Sequence, residues 1–344
     1  MGARSLPASR KAHTRPRRSS RARGMRSARA MSSGPRSGGS SVVSVVGAGT
    51  VGASTAHALL LQRVGEVKLV DVDEQRLEGE VLDLQDAFFS IEQASLSDAG
   101  SSSDLIIITA GAAQKPGQSR TELTKTNVSI VKSICDGLGS ISSDTLVMVV
   151  ANPCDTLTYC AQEFLSDRLH HSQVIGSGTV LDTNRLRVAL ANRFNVNISS
   201  LHTYVLGEHG DTQFPALSCS RIGGIPPELM PGFDASEFRR IAEESKRKAY
   251  SIIQDKGATQ WGIGAAASSL AYSLVRDSRE VRTISSRMHF EGVGDVCLSV
   301  PTIIGRGGVC ERLPIAEVLE EEERGYLRES AESIRSTIDS VKHV

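Results

Sequence analysis

No apolar run in this chain approaches the roughly 20 residues of a membrane helix. The longest, such as 105–108 and 146–151, are strand-sized, so no membrane association is expected. Aromatic residues are scarce at 4%, and Trp261 is the only Trp. The six cysteines (Cys135, Cys154, Cys160, Cys219, Cys297 and Cys310) include no C-x-x-C pair, and no His follows at zinc-ligand spacing. The expectation is reduced, mostly core cysteines and no metal site. Acidic residues are missing from the start of the chain, the first being Glu66. The formal net charge of zero therefore hides an asymmetry. Residues 1–40 carry ten Arg, Lys11 and no acid, while the other 28 basic and 39 acidic residues leave the body at −11. A mildly acidic body does not track phosphates, so no nucleic-acid partner is expected.

The basic segment 1–40 is rich in Arg, Ser, Ala and Gly. Such a composition cannot bury a core and reads as disordered. It fits an organelle transit peptide, Arg- and Ser-rich and poor in acids. The alternatives, in descending order, are a true start at Met25 or Met31 and a basic arm for RNA or anionic lipid. No apolar core of a secretory signal follows it. The expected location is the cytoplasm, or a mitochondrion or plastid if the segment is a transit peptide.

What is present is an alternation. A chain of 344 residues is long enough for two domains. From residue 42, strand-like runs at 42–46, 66–72, 105–109 and 146–151 alternate with helical patterns at 50–62, 75–87 and 120–138. That order implies βαβ units and a parallel sheet, and near-continuous apolar strands suit a sheet covered on both faces. After about 178 the pattern becomes mixed. A strand is expected at 201–206, helices at 235–256 and 265–278, a hairpin or meander from 281–289 and 296–305, and a terminal helix at 314–341.

Gly47-Ala48-Gly49-Thr50-Val51-Gly52 is G-x-G-x-x-G, set between the first strand and the first helix. Alone the pattern is weak; in this context it is a dinucleotide fingerprint. The first Gly permits the tight turn, the second lets backbone approach a pyrophosphate, and the third lets helix and strand pack closely. The helix N-terminus offers N–H groups and a favourable dipole to phosphates. Asp71 comes 19 residues after Gly52, at the end of the next strand. A carboxylate there accepts from adenosine ribose hydroxyls and repels a 2′-phosphate, favouring NAD over NADP.

Four polar clusters follow strands or sit in loops, where α/β sheets place ligands. They are Gly111–Arg120 (G-A-A-Q-K-P-G-Q-S-R), Asn152-Pro153-Cys154-Asp155, Leu181-Asp182-Thr183-Asn184-Arg185-Leu186-Arg187, and Gly207-Glu208-His209-Gly210-Asp211. Together with the glycine turn they resemble the L-lactate/malate dehydrogenase family, in the family's order, from about residue 42 to the C-terminus. The resemblance implies a Rossmann doubly wound parallel sheet with an α+β C-terminal catalytic domain. It divides the chain into the tail 1–40, an NAD-binding domain at 41–178 and a catalytic domain at 179–344. It also implies a homotetramer or homodimer.

The chemistry agrees. Oxidising a 2-hydroxy acid moves a hydride to nicotinamide and a proton to a base, and His titrates near working pH. His209 lies in a Gly-flanked turn that admits substrate. By resemblance Asp182 orients it, Arg185 grips the substrate carboxylate as a bidentate fork, and Arg120 polarises the carbonyl when its loop closes. By the same resemblance Asn152 would hydrogen-bond the substrate oxygen and flank the cofactor. Thr259 and Ile263 resemble the substrate and nicotinamide wall. The ordinary alternatives stay open: a lone Asp or Arg is usually a surface charge, and Asp182 and Arg185 could simply pair across one helical turn.

Malate enzymes resemble the 111–120 loop but carry Arg where this chain has Gln114. A neutral Gln suits the methyl end of pyruvate, so L-lactate and pyruvate are the expected substrates, with malate dehydrogenase or a non-catalytic NAD-binding protein as alternatives. The stretch between Asp83 and Asp104 is several residues shorter than is usual in the family, so the strand and loop there are expected to be trimmed, which puts the local cofactor edge in doubt. Arg187 and His202 match positions at which allosteric bacterial members bind fructose 1,6-bisphosphate; the ordinary alternative is a surface or interface pair.

Overall fold

The computed structural model describes residue 2, residues 40–113 and residues 117–342. The expectations placed on the basic tail, and on Gln114, Lys115 and Pro116, lie outside the described residues.

The first half alternates as its pattern requires. β1 (Val42–Val46), α1 (Thr50–Leu61), β2 (Glu66–Val70), α2 (Glu74–Gln85), β3 (Ile91–Gln93) and α3 (Leu96–Ser102) are followed by β4 (Leu105–Ile108), α4 (Arg120–Gly137), β5 (Leu146–Val149), α5 (Cys154–Phe164) and β6 (Val174–Gly176). The six strands are parallel and lie in the order β3-β2-β1-β4-β5-β6. This is the doubly wound order, whose switch point falls between β1 and β4 and opens a ligand crevice at their carboxyl ends. Every residue of β4 and β5 is buried. One face packs on α1 and α2 through Ala56, Leu59, Leu77 and Val81; the other packs on α4 and α5 through Val128, Val131, Leu157 and Ala161. Fully burying an Ile such as Ile107 stabilises by roughly 1.5–3 kcal/mol, so both layers clamp the sheet.

The second half comprises α6 (Val180–Phe194), β7 (Leu201–His202), β8 (Val205–Leu206), β9 (Phe214–Pro215), β10 (Arg221–Ile222), α7 (Ala235–Lys256), α8 (Trp261–Val275), β11 (Glu280–Phe290), β12 (Gly294–Gly305), β13 (Gly308–Arg312) and α9 (Glu321–Val341). β11, β12 and β13 form an antiparallel meander that joins β6 through Ser285 opposite Gly176. The architecture is thus a Rossmann doubly wound sheet with an α+β carboxy-terminal part, continued as one nine-stranded sheet.

Several expectations are corrected. The stretch 201–206 is two short strands, because β7 pairs with β10 whereas β8 pairs with β9. Between them Thr203 bonds sideways to Ser220. The terminal helix begins at Glu321, not at 314, where a Glu320–Glu323 capping box starts it; residues 315–317 form a separate single turn. α8 begins at Trp261, which puts Ile263 in its first turn. The short stretch after Asp83 keeps a strand: β3 runs parallel to β2 over three residues, and α3 follows from a Ser95–Asp98 capping box.

Candidate active site

The glycine turn sits at the switch point, between the ends of β1 and β4. Gly47 has φ +110°, and a Cβ there would meet Ala110 N at 2.7 Å. A Cβ on Gly52 would stand 1.7 Å from the Gly47 carbonyl oxygen, so any side chain would push α1 off β1. A Cβ on Gly49 would meet nothing within 4 Å. Gly49 caps α1 with no side-chain hydrogen bond, leaving the first-turn N–H groups of Thr50 and Val51 for an anion. Asp71 stands just past β2. Its Oδ2 accepts the Ala48 N–H at 2.5 Å and its Oδ1 that of Asp73 at 2.9 Å. An uncapped helix, an open Gly49 and a carboxylate beside the turn fit a dinucleotide.

The wall opposite comes from α8, which packs along α1. A Cβ on Gly264 would meet Ser54 O at 2.8 Å, so glycine sets that close approach. Ile263 packs with Val51 and Leu181 against the same core cluster. Thr259 precedes the helix and is half-buried.

The reacting group is drawn from four elements. His209 Nδ1 lies 2.7 Å from Asp182 Oδ2, and the other oxygen of Asp182 accepts from Arg185 Nη1 at 3.1 Å. The helical-turn pairing of Asp182 and Arg185 is therefore real, and it does not compete with the histidine. One carboxylate serves both. Burial pulls the His209 pKa down, but the charge and hydrogen bond of Asp182 outweigh it, with Asp155 adding, and raise it to about 8. Burial pushes the Asp182 carboxyl up, and His209 and Arg185 together bring it below the usual carboxylate range. Arg185 and His209 thus flank one buried carboxylate, and its charge favours the protonated imidazole.

Arg120 opens α4, after a Ser119–Glu122 capping box. Its Nη1 reaches Asp211 Oδ2 at 2.6 Å, in the same turn as His209. Asp211 also accepts from Tyr250 at 3.2 Å through Oδ1 and from Lys246 at 2.5 Å through its carbonyl. Asn152 is held by its backbone: its carbonyl accepts from Asn127 Nδ2 at 2.8 Å, and Asn127 Oδ1 accepts the Ala112 N–H at 2.7 Å. Arg185 has a side chain 10% exposed against 79% for Arg120, so one cation is fixed and the other is presented to solvent. Sequence reasoning missed Asp155, Asp211, Tyr250 and Asn127. Asp155 and Asp211 each lie inside a quoted motif, which was the available signal.

Arg187 lies further along α6, and His202 on β7. Arg187 donates to Ile198 O at 3.0 Å, while its Nε has no partner among the described residues. Burial and the neighbouring Arg282 both pull its pKa down. His202 is exposed on β7, opposite Arg221. Cys135, Cys154, Cys160 and Cys297 are buried and unoxidised, and burial pushes the first three thiols up to about 12.

Comparison with known proteins fits this geometry. The family description "lactate/malate dehydrogenase, NAD binding domain" matches residues 41–176, and "lactate/malate dehydrogenase, alpha/beta C-terminal domain" matches residues 179–344. An L-lactate dehydrogenase of Synechococcus sp. is 40% identical over 307 residues, covering 87% of this chain and 99% of its own length. L-lactate dehydrogenase A of Rhizopus oryzae is 41% identical over 302 residues, covering 86% of this chain and 92% of its own. The ligand-bound minor L-lactate dehydrogenase of Enterococcus mundtii superposes with a TM-score of 0.83 at 32% identity, covering 89% of this chain and 99% of its own. The chain belongs to the lactate/malate dehydrogenase family and is an NAD-dependent enzyme of it.

Proposed function

We propose that the chain is an L-lactate dehydrogenase, interconverting (S)-lactate and NAD+ with pyruvate, NADH and a proton. The observation that carries this reading is the chain Arg185–Asp182–His209 with Arg120 beside the same turn. The names of the relatives supply the substrate.

Gly47, Gly49, Thr50, Val51 and Gly52 would hold the pyrophosphate, Asp71 the adenosine ribose, and Asn152 and Ile263 would flank the nicotinamide. NAD supplies the hydride acceptor in one direction and the donor in the other. In pyruvate reduction Arg185 binds the substrate carboxylate, and its buried setting strengthens that pairing. His209 donates the Nε2 proton to the ketone oxygen while Asp182 stabilises the imidazolium at Nδ1. Arg120 leaves or shares Asp211 and turns its fork toward the developing alkoxide. Asn152 orients the same oxygen, and Thr259 lines the far wall. Lactate oxidation runs the proton back to neutral His209.

Gln114 in the 111–120 loop supports lactate over malate. The test is initial-rate kinetics of the purified chain with pyruvate against oxaloacetate. Pyruvate is expected to be the faster; faster oxaloacetate would make the chain a malate dehydrogenase. In Gln114→Arg the preference should move toward oxaloacetate. Absence of turnover with both would support a non-catalytic NAD-binding role.

The division at 41–178 and 179–344 belongs to the same proposal, as does assembly into a homotetramer or homodimer. Phe89, at 104% exposure, with Leu82 at 57% and Trp261 at 62%, supports assembly. Light scattering checks it. Fructose 1,6-bisphosphate would activate through Arg187 and His202, supported by the uncommitted Arg187 Nε beside Arg282. A pyruvate saturation curve indifferent to it at neutral pH overturns that part.

A further inference from the structure

Asp155 is the second residue of α5, two residues after Pro153, and the proton transfer described above gives it no role. It is 3% exposed. Its Oδ2 accepts the backbone N–H of His209 at 2.7 Å. Its Oδ1 lies beside the buried Ser285 hydroxyl, which draws the carboxyl's pKa down as a hydrogen-bond partner although the two atoms do not form a bond of good geometry. A buried carboxylate with so few good hydrogen bonds is costly. Asn would fill the same space, accept the same N–H and carry no charge. The hydrogen bond alone therefore does not account for an aspartate here; the charge remains to be explained.

That charge faces the catalytic imidazole. Asp182 and Arg185 face His209 from α6, and Asp155 faces it from α5. Around Asp155 itself stand His209, Glu208 of the same turn and Ser285 of β11, with the Cys154 thiol on α5 and the Cys297 thiol on β12. Among these charges Asp182 and then Asp155 favour a protonated His209, and Arg185 opposes them. Burial pushes the Asp155 carboxyl up to about 6, so it is charged at neutral pH and loses that charge in mild acid.

We propose that Asp155 is a positioning residue for His209: a second carboxylate that fixes the catalytic turn through the His209 N–H and, by its charge, works with Asp182 to favour the imidazolium. The proposal rests on His209 being the proton-transfer residue. Asp155 would tie α5, which starts two residues after Asn152, to the turn that carries His209.

The test uses the full-length protein. Asp155→Asn keeps the volume and an acceptor for the His209 N–H but removes the charge. In wild type, pyruvate reduction at saturating NADH should fall above a midpoint near 8, where His209 loses its proton. In Asp155→Asn that limb should move down by about one pH unit, and the lactate-oxidation limb with it, with NADH affinity unchanged. A limb that stays in place while the rate drops equally at every pH means a merely structural role and overturns the proposal. A second measurement needs no variant. The His209 amide signal in wild-type protein should step near pH 6, as Asp155 takes up a proton, and again with its own ring near 8. A single step near 8 also overturns the proposal. Turnover surviving in His209→Gln would instead sink the proton-transfer reading itself, so the two failures are told apart.

Discussion

The cofactor turn and the reacting turn are built in opposite ways. The first lies within one βαβ unit, between β1 and Asp71, and its main requirement is empty space. Gly47, Gly49 and Gly52 matter for the side chains they lack. The second is assembled from α4, α5, α6 and the turn 207–211, with partners as far apart in sequence as Arg120 and Asp211. Its requirement is charge, arranged as buried anions between cations. Disturbing the first should act sterically, on cofactor affinity. Disturbing the second should act electrostatically, on rate and on pH dependence.

The largest expected effect lies on the electrostatic side. His209→Gln removes the proposed proton donor, and pyruvate reduction should fall by roughly 10²–10⁴-fold in kcat, the usual worth of a positioned acid. NADH binding, followed by fluorescence titration, should be unchanged. Loss of NADH binding in the same variant would break the separation between the two regions. Arg120→Gln comes next. Removing a donor aimed at developing negative charge costs roughly 10²–10³-fold in kcat, again with NADH affinity kept. If instead only KM rises, Arg120 binds ground state and transition state alike. Gly52→Ala is the steric counterpart. Its methyl would collide with the Gly47 carbonyl, and such overpacking costs about 1–3 kcal/mol. The melting temperature should drop and the NADH dissociation constant rise, while kcat at saturating NADH stays close to wild type.

What could be read in the sequence follows the same division. The glycine turn was legible because its strand, helix and acid are neighbours along the chain, and periodicity placed β1 and α7 at the very residues observed. The reacting residues were legible only through their motifs. Nothing in the spacing of Asp182 and His209 says that they touch. Asp155 escaped notice because its partner is a backbone N–H 54 positions away, which no side-chain pattern records. Asp211 escaped because its pairing depends on how α4 and α7 approach the turn. The errors in element boundaries arose where the chain changes partners, as between β7 and β8, or where a capping box overrides a longer helical pattern, as at Glu320.

The smallest effect tests the point where the two modes meet. Asp71 is the one charged residue of the cofactor turn, and it is tied to the turn's own backbone at Ala48. If its role were only to hold that turn, replacing it should weaken NADH and NADPH alike. If its charge faces the ribose, the two cofactors should respond differently, because only NADPH brings a 2′-phosphate against it. A like charge at a partly exposed site is worth on the order of 1 kcal/mol, so Asp71→Ser should improve the NADPH-to-NADH ratio of kcat/KM by roughly tenfold. The carboxylate's lost bonds to ribose should at the same time weaken NADH modestly. Equal losses with both cofactors would make Asp71 a brace for the glycine turn. The cofactor region would then be steric throughout, and the contrast with the charge-built reacting turn would be sharper still.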